Sequence, residues 1–193
     1  MNQWWQYWPG HFKPEECDKL IEIAKTLPIV DAKIGIEDEG SKQNQNVRRS
    51  RIRWLPRFDS RFFQLFGSIE LLFYEANRNA FGFDVSLFHE IQFTEYAAKD
   101  KGTYGWHHDT TWVSNRLMRR KLSLTIQLTD PAEYEGGRFE FNSKVCGECP
   151  QPEKILPRGT VIIFPSFLEH RVTPVTKGVR NSLVSWMEGP YFR

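Results

Sequence analysis

From residue 86 onward the chain is cut at short intervals by turn chemistry, and this restricts its fold more than any other feature. The separators include Glu135-Gly136-Gly137, Pro157-Arg158-Gly159 and Lys177-Gly178, where glycine reaches conformations that side chains resist. Between them lie strand-length segments at 86–96, 104–109, 121–129, 137–141, 160–164, 168–174 and 179–187. Many short strands in series suit a sandwich or a jelly roll.

The residues before position 84 read differently. Pro14 and Glu15 open a helix in which Cys17, Leu20, Ile21, Ala24 and Leu27 recur at helical spacing, and Pro28 ends it. Asp59 or Ser60 can cap a second helix whose apolar stripe is Phe62, Leu65, Phe66, Ile69, Leu72, Phe73 and Ala76, ending near Gly82. Between the two, residues 38–47 are polar and contain glycine, a loop long enough to serve as a lid. Helices first and strands later give an α+β, mostly β domain with the helices flanking a β core. At 193 residues the expectation is one domain, with N-terminal helical support over about 1–83 and the core over about 84–193.

Composition narrows the partners. Twenty-six Lys and Arg against twenty-four Asp and Glu leave a formal charge of +2, too small to draw a polyanion by the overall field. The densest basic run, Arg48 to Arg57, alternates as Arg51, Ile52, Arg53, Trp54. That is the pattern of a half-buried strand, so nucleic acid is not the expected partner. No apolar run approaches the roughly 20 residues that span a bilayer, and Met1 to Gly10 do not read as a leader. Three cysteines, Cys17, Cys146 and Cys149, suit a reducing compartment, so a cytoplasmic location is expected.

The sharpest chemical signal is Trp106-His107-His108-Asp109. In an extended chain side chains at i and i+2 share a face, so His107 and Asp109 project together and His108 projects away. Alone, His-x-Asp is weak evidence of a metal. A second histidine, His170, sits in an apolar strand-like run followed by a turn at 174–178. If 168–173 and 179–187 pair as a hairpin about that turn, His170 and Arg180 share a face, with Ser182, Val184 and Trp186 beside Arg180. An inward arginine requires a carboxylate, bound or structural. Two histidines and a carboxylate form the facial triad of non-haem iron(II) oxygenases, and a guanidinium suits a dicarboxylate.

With these residues in view the sequence resembles the iron(II)/2-oxoglutarate-dependent dioxygenases, in their prolyl-hydroxylase-like branch. The resemblance rests on 12–17 (FKPEEC), 104–109 (YGWHHD), 135–137 (EGG), 159–165 (GTVIIFP), His170 and Arg180, and covers most of the chain. It implies a double-stranded β-helix, or jelly roll, with iron held by His107, Asp109 and His170 and with Arg180 on the remote carboxylate of 2-oxoglutarate. Tyr96, eleven residues before His107, matches a tyrosine that contacts the cosubstrate in relatives, with Tyr104 the alternative. Iron(II) and 2-oxoglutarate are the implied cofactor and cosubstrate, with ascorbate as accompanying reductant. The implied substrate is a peptide or protein residue, proline first. One departure stands out: where several relatives carry a tyrosine after the first ligand pair, this chain has Ser123-Leu124-Thr125-Ile126-Gln127. Its polar face lines the pocket, with Gln127 in the tyrosine's role, or faces solvent.

Two other features read as structural. Cys146-Gly147-Glu148-Cys149 lacks a second pair to complete a zinc site and reads as a loop with free thiols. Trp4, Trp5 and Trp8 read as packing. The rival functions are an oxygenase of a small molecule or nucleic acid on the same core, and a metal-binding jelly roll that does not turn over.

Overall fold

The computed structural model describes residues 4–31, 48–110, 117–146 and 149–191. The lid read at 38–47, and Gly147 and Glu148 of the C-x-x-C segment, lie outside the described residues.

Helix α1 (Pro14–Lys25) starts where Pro14 presets the backbone and the Glu16 carboxylate accepts from the Lys13 N–H at 2.7 Å. It buries Cys17 and Ala24. A 3-10 turn (Ser60–Phe62) leads into α2 (Phe63–Ala76), with the Asp59 carboxylate accepting from the Arg61 N–H at 3.0 Å. One wider turn (Asn77–Phe81) follows, and the helix stops at Gly82 in the left-handed region. All seven stripe residues expected on the second helix are buried.

Before residue 84 the strands are β1 (Gln6–Trp8), β2 (Val30–Asp31), β3 (Arg48–Arg49) and β4 (Arg51–Leu55). Then come β5 (Leu87–Ala97), β6 (Thr103–His107), β7 (Arg119–Gln127), β8 (Glu135–Gly136) and β9 (Phe139–Phe141). The last are β10 (Val161–Pro165), β11 (His170–Val172), β12 (Val175–Lys177) and β13 (Val179–Gly189). A seven-stranded sheet runs β1-β10-β7-β13-β5-β4-β2, a four-stranded sheet β3-β6-β11-β9, and β12 pairs with β8. Among the described residues every pairing is antiparallel.

The central strands of the seven-stranded sheet, β10, β7, β13 and β5, are covered on both faces, and this positions the site. On one face Ile91, Phe93, Leu122, Leu124, Ile126, Val161, Ile163 and Leu183 pack against α1 and α2 in the main core. Each large side chain buried there contributes on the order of 1.5–3 kcal/mol. The alternate residues Gln92, Thr94, Tyr96, Thr125, Arg180, Ser182, Val184 and Trp186 face a pocket instead. The polar alternation in β7 therefore separates core from pocket, which resolves the choice left open between pocket and solvent.

The expected hairpin of 168–173 with 179–187 does not form. β11 pairs with β6 and β9, while β13 pairs with β5 and β7, so the two segments belong to different sheets. The intervening residues are a strand, β12, held to β8, and Val175 is buried against Tyr96 and Val172. His170 and Arg180 nevertheless line the same pocket, because the two sheets face each other across it.

Candidate active site

His107 and His170 are direct cross-strand partners in the β6–β11 pair, which brings their rings to 4.2 Å between centroids. β6 ends at His107. Asp109 lies in the bend beyond it, where the N–H groups of Asp109 and Thr110 both donate to the Ser166 carbonyl at 2.9 and 3.1 Å. The bend turns the carboxylate back between the imidazoles. Its Oδ1 is 3.6 Å from His107 Nε2 and its Oδ2 is 3.5 Å from His170 Nε2. One ligand atom from each of the three residues lies within 4.8 Å of the others, close enough to share one ion.

Hydrogen bonds behind the rings set which nitrogen is available. His107 Nδ1 lies 2.8 Å from the Gly105 carbonyl and His170 Nδ1 2.9 Å from the Leu168 carbonyl. A carbonyl can only accept, so each Nδ1 carries hydrogen and each Nε2 presents a lone pair toward Asp109. The Ser123 hydroxyl donates to Asp109 Oδ2 at 2.7 Å and sits 2.9 Å from the Ser166 hydroxyl. Burial and the neighbouring His170 push the His107 imidazolium down to about 3, leaving a neutral ring. Burial alone would raise the Asp109 carboxyl. His170, His107, Arg120 and the Ser123 hydroxyl outweigh it and hold the group at about 2. Neutral imidazoles, an ionised carboxylate and converging lone pairs fit a divalent transition metal.

His108 turns away, with Nδ1 on the Phe167 carbonyl at 2.7 Å, and remains exposed at the rim. Tyr104 stacks on His107 at 3.5 Å, with the Arg48 guanidinium 4.6 Å from the Tyr104 ring centre. Phe139, Phe141 and Phe164 surround His170.

The pocket in front of the three ligands encloses about 430 Å³. Arg180 is buried in its wall, its guanidinium 5.6 Å from the Tyr96 ring and 3.4 Å from the Ser182 hydroxyl. Among the described residues no carboxylate forms an ion pair with it. Both candidate tyrosines face the pocket, Tyr96 beside Arg180 and Tyr104 beside His107.

Three residues at this site were not anticipated. Arg120 has the wrong parity in β7, yet it lines the pocket and stacks on Trp186 at 3.7 Å. A bulge explains it. Leu122 pairs with Met187 but Arg120 pairs with Glu188, so one β7 residue is skipped and Arg120 is turned inward. No sequence signal marks that bulge. Glu188 lines the same mouth. Tyr134 lies beyond β7, and its hydroxyl accepts from Gln127 at 2.7 Å near Arg180. Its place directly before Glu135-Gly136-Gly137 was the signal that could have found it.

Residues 91–188 match the 2OG-Fe(II) oxygenase superfamily. Over 189 residues the chain is 31% identical to the PKHD-type hydroxylase YbiX of Escherichia coli, covering 93% of this chain and 76% of that protein. A PKHD-type hydroxylase of Synechococcus sp. is 38% identical over 104 residues, 53% of this chain and 44% of that protein. Among solved structures, a Pseudomonas putida prolyl-4-hydroxylase superposes with a TM-score of 0.74 at 17% identity, covering 98% of this chain and 94% of that one. A Trichoplax adhaerens prolyl hydroxylase in complex with a hypoxia inducible factor peptide fragment gives a TM-score of 0.73 at 12% identity, covering 96% and 83%. At these identities the structural likeness carries the fold.

Proposed function

The chain belongs to the 2OG-Fe(II) oxygenase superfamily, and from that premise we propose that it hydroxylates a residue of a peptide or protein, proline first, at an iron held by His107, Asp109 and His170. It is an iron(II)- and 2-oxoglutarate-dependent dioxygenase. The two sheets are read as a double-stranded β-helix within one domain. The observation that carries the site assignment is the convergence of two Nε2 lone pairs and the Asp109 carboxylate in the pocket that Arg180 also lines.

When bound, iron(II) supplies the chemistry that couples oxidative decarboxylation of 2-oxoglutarate by oxygen to hydroxylation of a C–H bond. The protein's own groups do the rest. Arg180 holds the remote carboxylate of 2-oxoglutarate with a charge-assisted contact. Ser123 fixes the Asp109 carboxylate, and the Gly105 and Leu168 carbonyls hold the rings in one orientation. The aromatic side chains around His170 keep water from that side of the site.

The mouth supports the peptide reading. Trp54, Arg120, Trp186 and Glu188 offer aromatic faces and charges of both signs to an extended chain. The Trichoplax adhaerens relative is in complex with a peptide fragment. Among the described residues no helix is long and apolar enough to cross a membrane.

Two measurements test the reading. Arg180→Ala should weaken 2-oxoglutarate binding about tenfold or more, measured anaerobically, because a hydrogen bond to a charged partner contributes on the order of 1.5–3 kcal/mol. Iron binding should persist. Wild-type protein supplied with iron(II), ascorbate, 2-oxoglutarate and proline-containing peptides should release succinate and add one oxygen to a defined residue. Succinate release stimulated by free amino acids or nucleic acid, with none from peptides, would reassign the substrate.

A further inference from the structure

Helix α2 is apolar on two sides, and the fold covers one of them. Leu65, Phe66, Ile69, Leu72, Phe73 and Ala76 are buried in the main core. On the opposite side Phe63, Gly67, Leu71, Tyr74 and Arg78 recur at helical spacing and lie along one outward face. Phe63 is 55% exposed, Leu71 71% and Tyr74 46%, and Phe58, in the turn that leads toward the helix, is 90% exposed. These four side chains leave on the order of 500 Å² of apolar surface in water, at the upper end of what a monomer ordinarily shows.

Gly67 narrows what can cover this face. A Cβ placed on it meets nothing within 4 Å, so the space it leaves open lies outside the chain. Glycine in a helix interior weakens the helix, and among the described residues no neighbour requires it there. What it permits is close approach of another helix, with a large side chain seated over bare backbone. The same face carries such a side chain one turn later, Leu71. A second copy of α2 laid antiparallel, with Leu71 over Gly67, satisfies both positions twice, because under twofold symmetry each copy offers knob and notch.

Charge agrees with that register. It sets Arg78 of one copy against Asp59 of the other and Glu75 toward Arg61, and Arg78 and Glu75 are exposed and form no ion pair among the described residues. Asp59, Arg61, Glu75 and Arg78 sum to no net charge, which does not suit an anionic membrane. The apolar area, with these flanking groups added, approaches the roughly 800 Å² per partner of a stable small interface. We propose that the outer face of α2 is the contact between two copies of this chain, an antiparallel helix pair in which Leu71 of each copy covers Gly67 of the other. Because α2 packs on the side of the seven-stranded sheet opposite the pocket, both pocket mouths stay open in such a dimer.

Sedimentation velocity of the full chain over a range of concentrations tests this. Wild type should pass from the 22.8 kDa monomer to a particle of twice that mass, with a dissociation constant on the order of micromolar. Leu71→Asp should raise that constant about a hundredfold or more, while the melting temperature of dilute protein barely moves because the side chain is exposed in the single chain. Gly67→Gln guards against a folding artefact: it favours the helix and meets open space in one copy, yet it collides with Leu71 of the second. It should abolish the dimer while holding or raising the melting temperature of dilute protein. Arg78→Glu should weaken the dimer severalfold at low salt and less at high salt. A wild-type chain still monomeric at about 100 μM, or a dimer that persists in both Leu71→Asp and Gly67→Gln, would overturn the proposal. So would a monomer that instead sediments with phosphatidylcholine–phosphatidylserine vesicles in a Leu71-dependent way, which would assign the face to a membrane.

Discussion

A backbone carbonyl against one nitrogen of an imidazole decides which nitrogen can hold a metal. Gly105 and Leu168 do this for His107 and His170, so both Nε2 atoms face Asp109. The same device at His108, with Phe167 as acceptor, holds that ring at the exposed rim. His107→Ala and His170→Ala are each expected to abolish turnover and bound iron, whereas His108→Ala keeps most of both. Metal content and succinate release check this, and equal iron loss from His107→Ala and His108→Ala would contradict the assignment. Two-residue periodicity predicted the split between 107 and 108 even though β6 stops at His107, because the Ser166 carbonyl bends the chain without reversing the Asp109 side chain.

At the level of elements, short connections do as much as strands. The segment between β8 and β9 brings Gly137 against Val175, Arg180 and Tyr134, with a φ of +59° that favours glycine. An added Cβ would lie 2.9 Å from Val175 Cγ2 and 3.1 Å from Arg180 Cδ. Gly137→Ala is therefore expected to cost about 1–3 kcal/mol of stability. It should also weaken 2-oxoglutarate binding by displacing the guanidinium stem. Thermal melts and the anaerobic titration read the two effects separately, and a variant matching wild type in both would remove this connection from the site. The bulge in β7 is the second case: skipping one residue between Leu122 and Arg120 moves an arginine from the core-facing parity to the pocket.

Across the whole molecule, the two sheets bury a neutral His107 and an ionised Asp109 together, and this links folding to pH. Both folded-state values lie below the ordinary ones, His107 at about 3 against 6.5 and Asp109 at about 2 against 3.8. The unfolded chain therefore binds more protons throughout that range, and stability rises with pH. The metal-free protein should lose stability as pH falls below about 6.5, with Asp109 adding its share below about 4. Melting temperatures across pH 7 to 4 test this. His107→Asn should give a shallower slope, and a slope matching wild type would exclude His107 as a source. Much of this molecule was legible in the sequence. The two helices, the stop of the second at Gly82, and the parity that puts Arg180 with Ser182, Val184 and Trp186 all follow from local chemistry and periodicity, whereas the first helix ends at Lys25, ahead of Pro28. His107, Asp109, His170 and Arg180 could be singled out because each residue type advertises its chemistry. Tertiary structure alone decided that β11 and β13 lie in different sheets, that Arg120 turns inward, and that Tyr134 reaches Gln127 and Arg180. Those outcomes depend on pairing between residues far apart in the chain, where the partner strand's register sets the direction of a side chain that local pattern cannot fix.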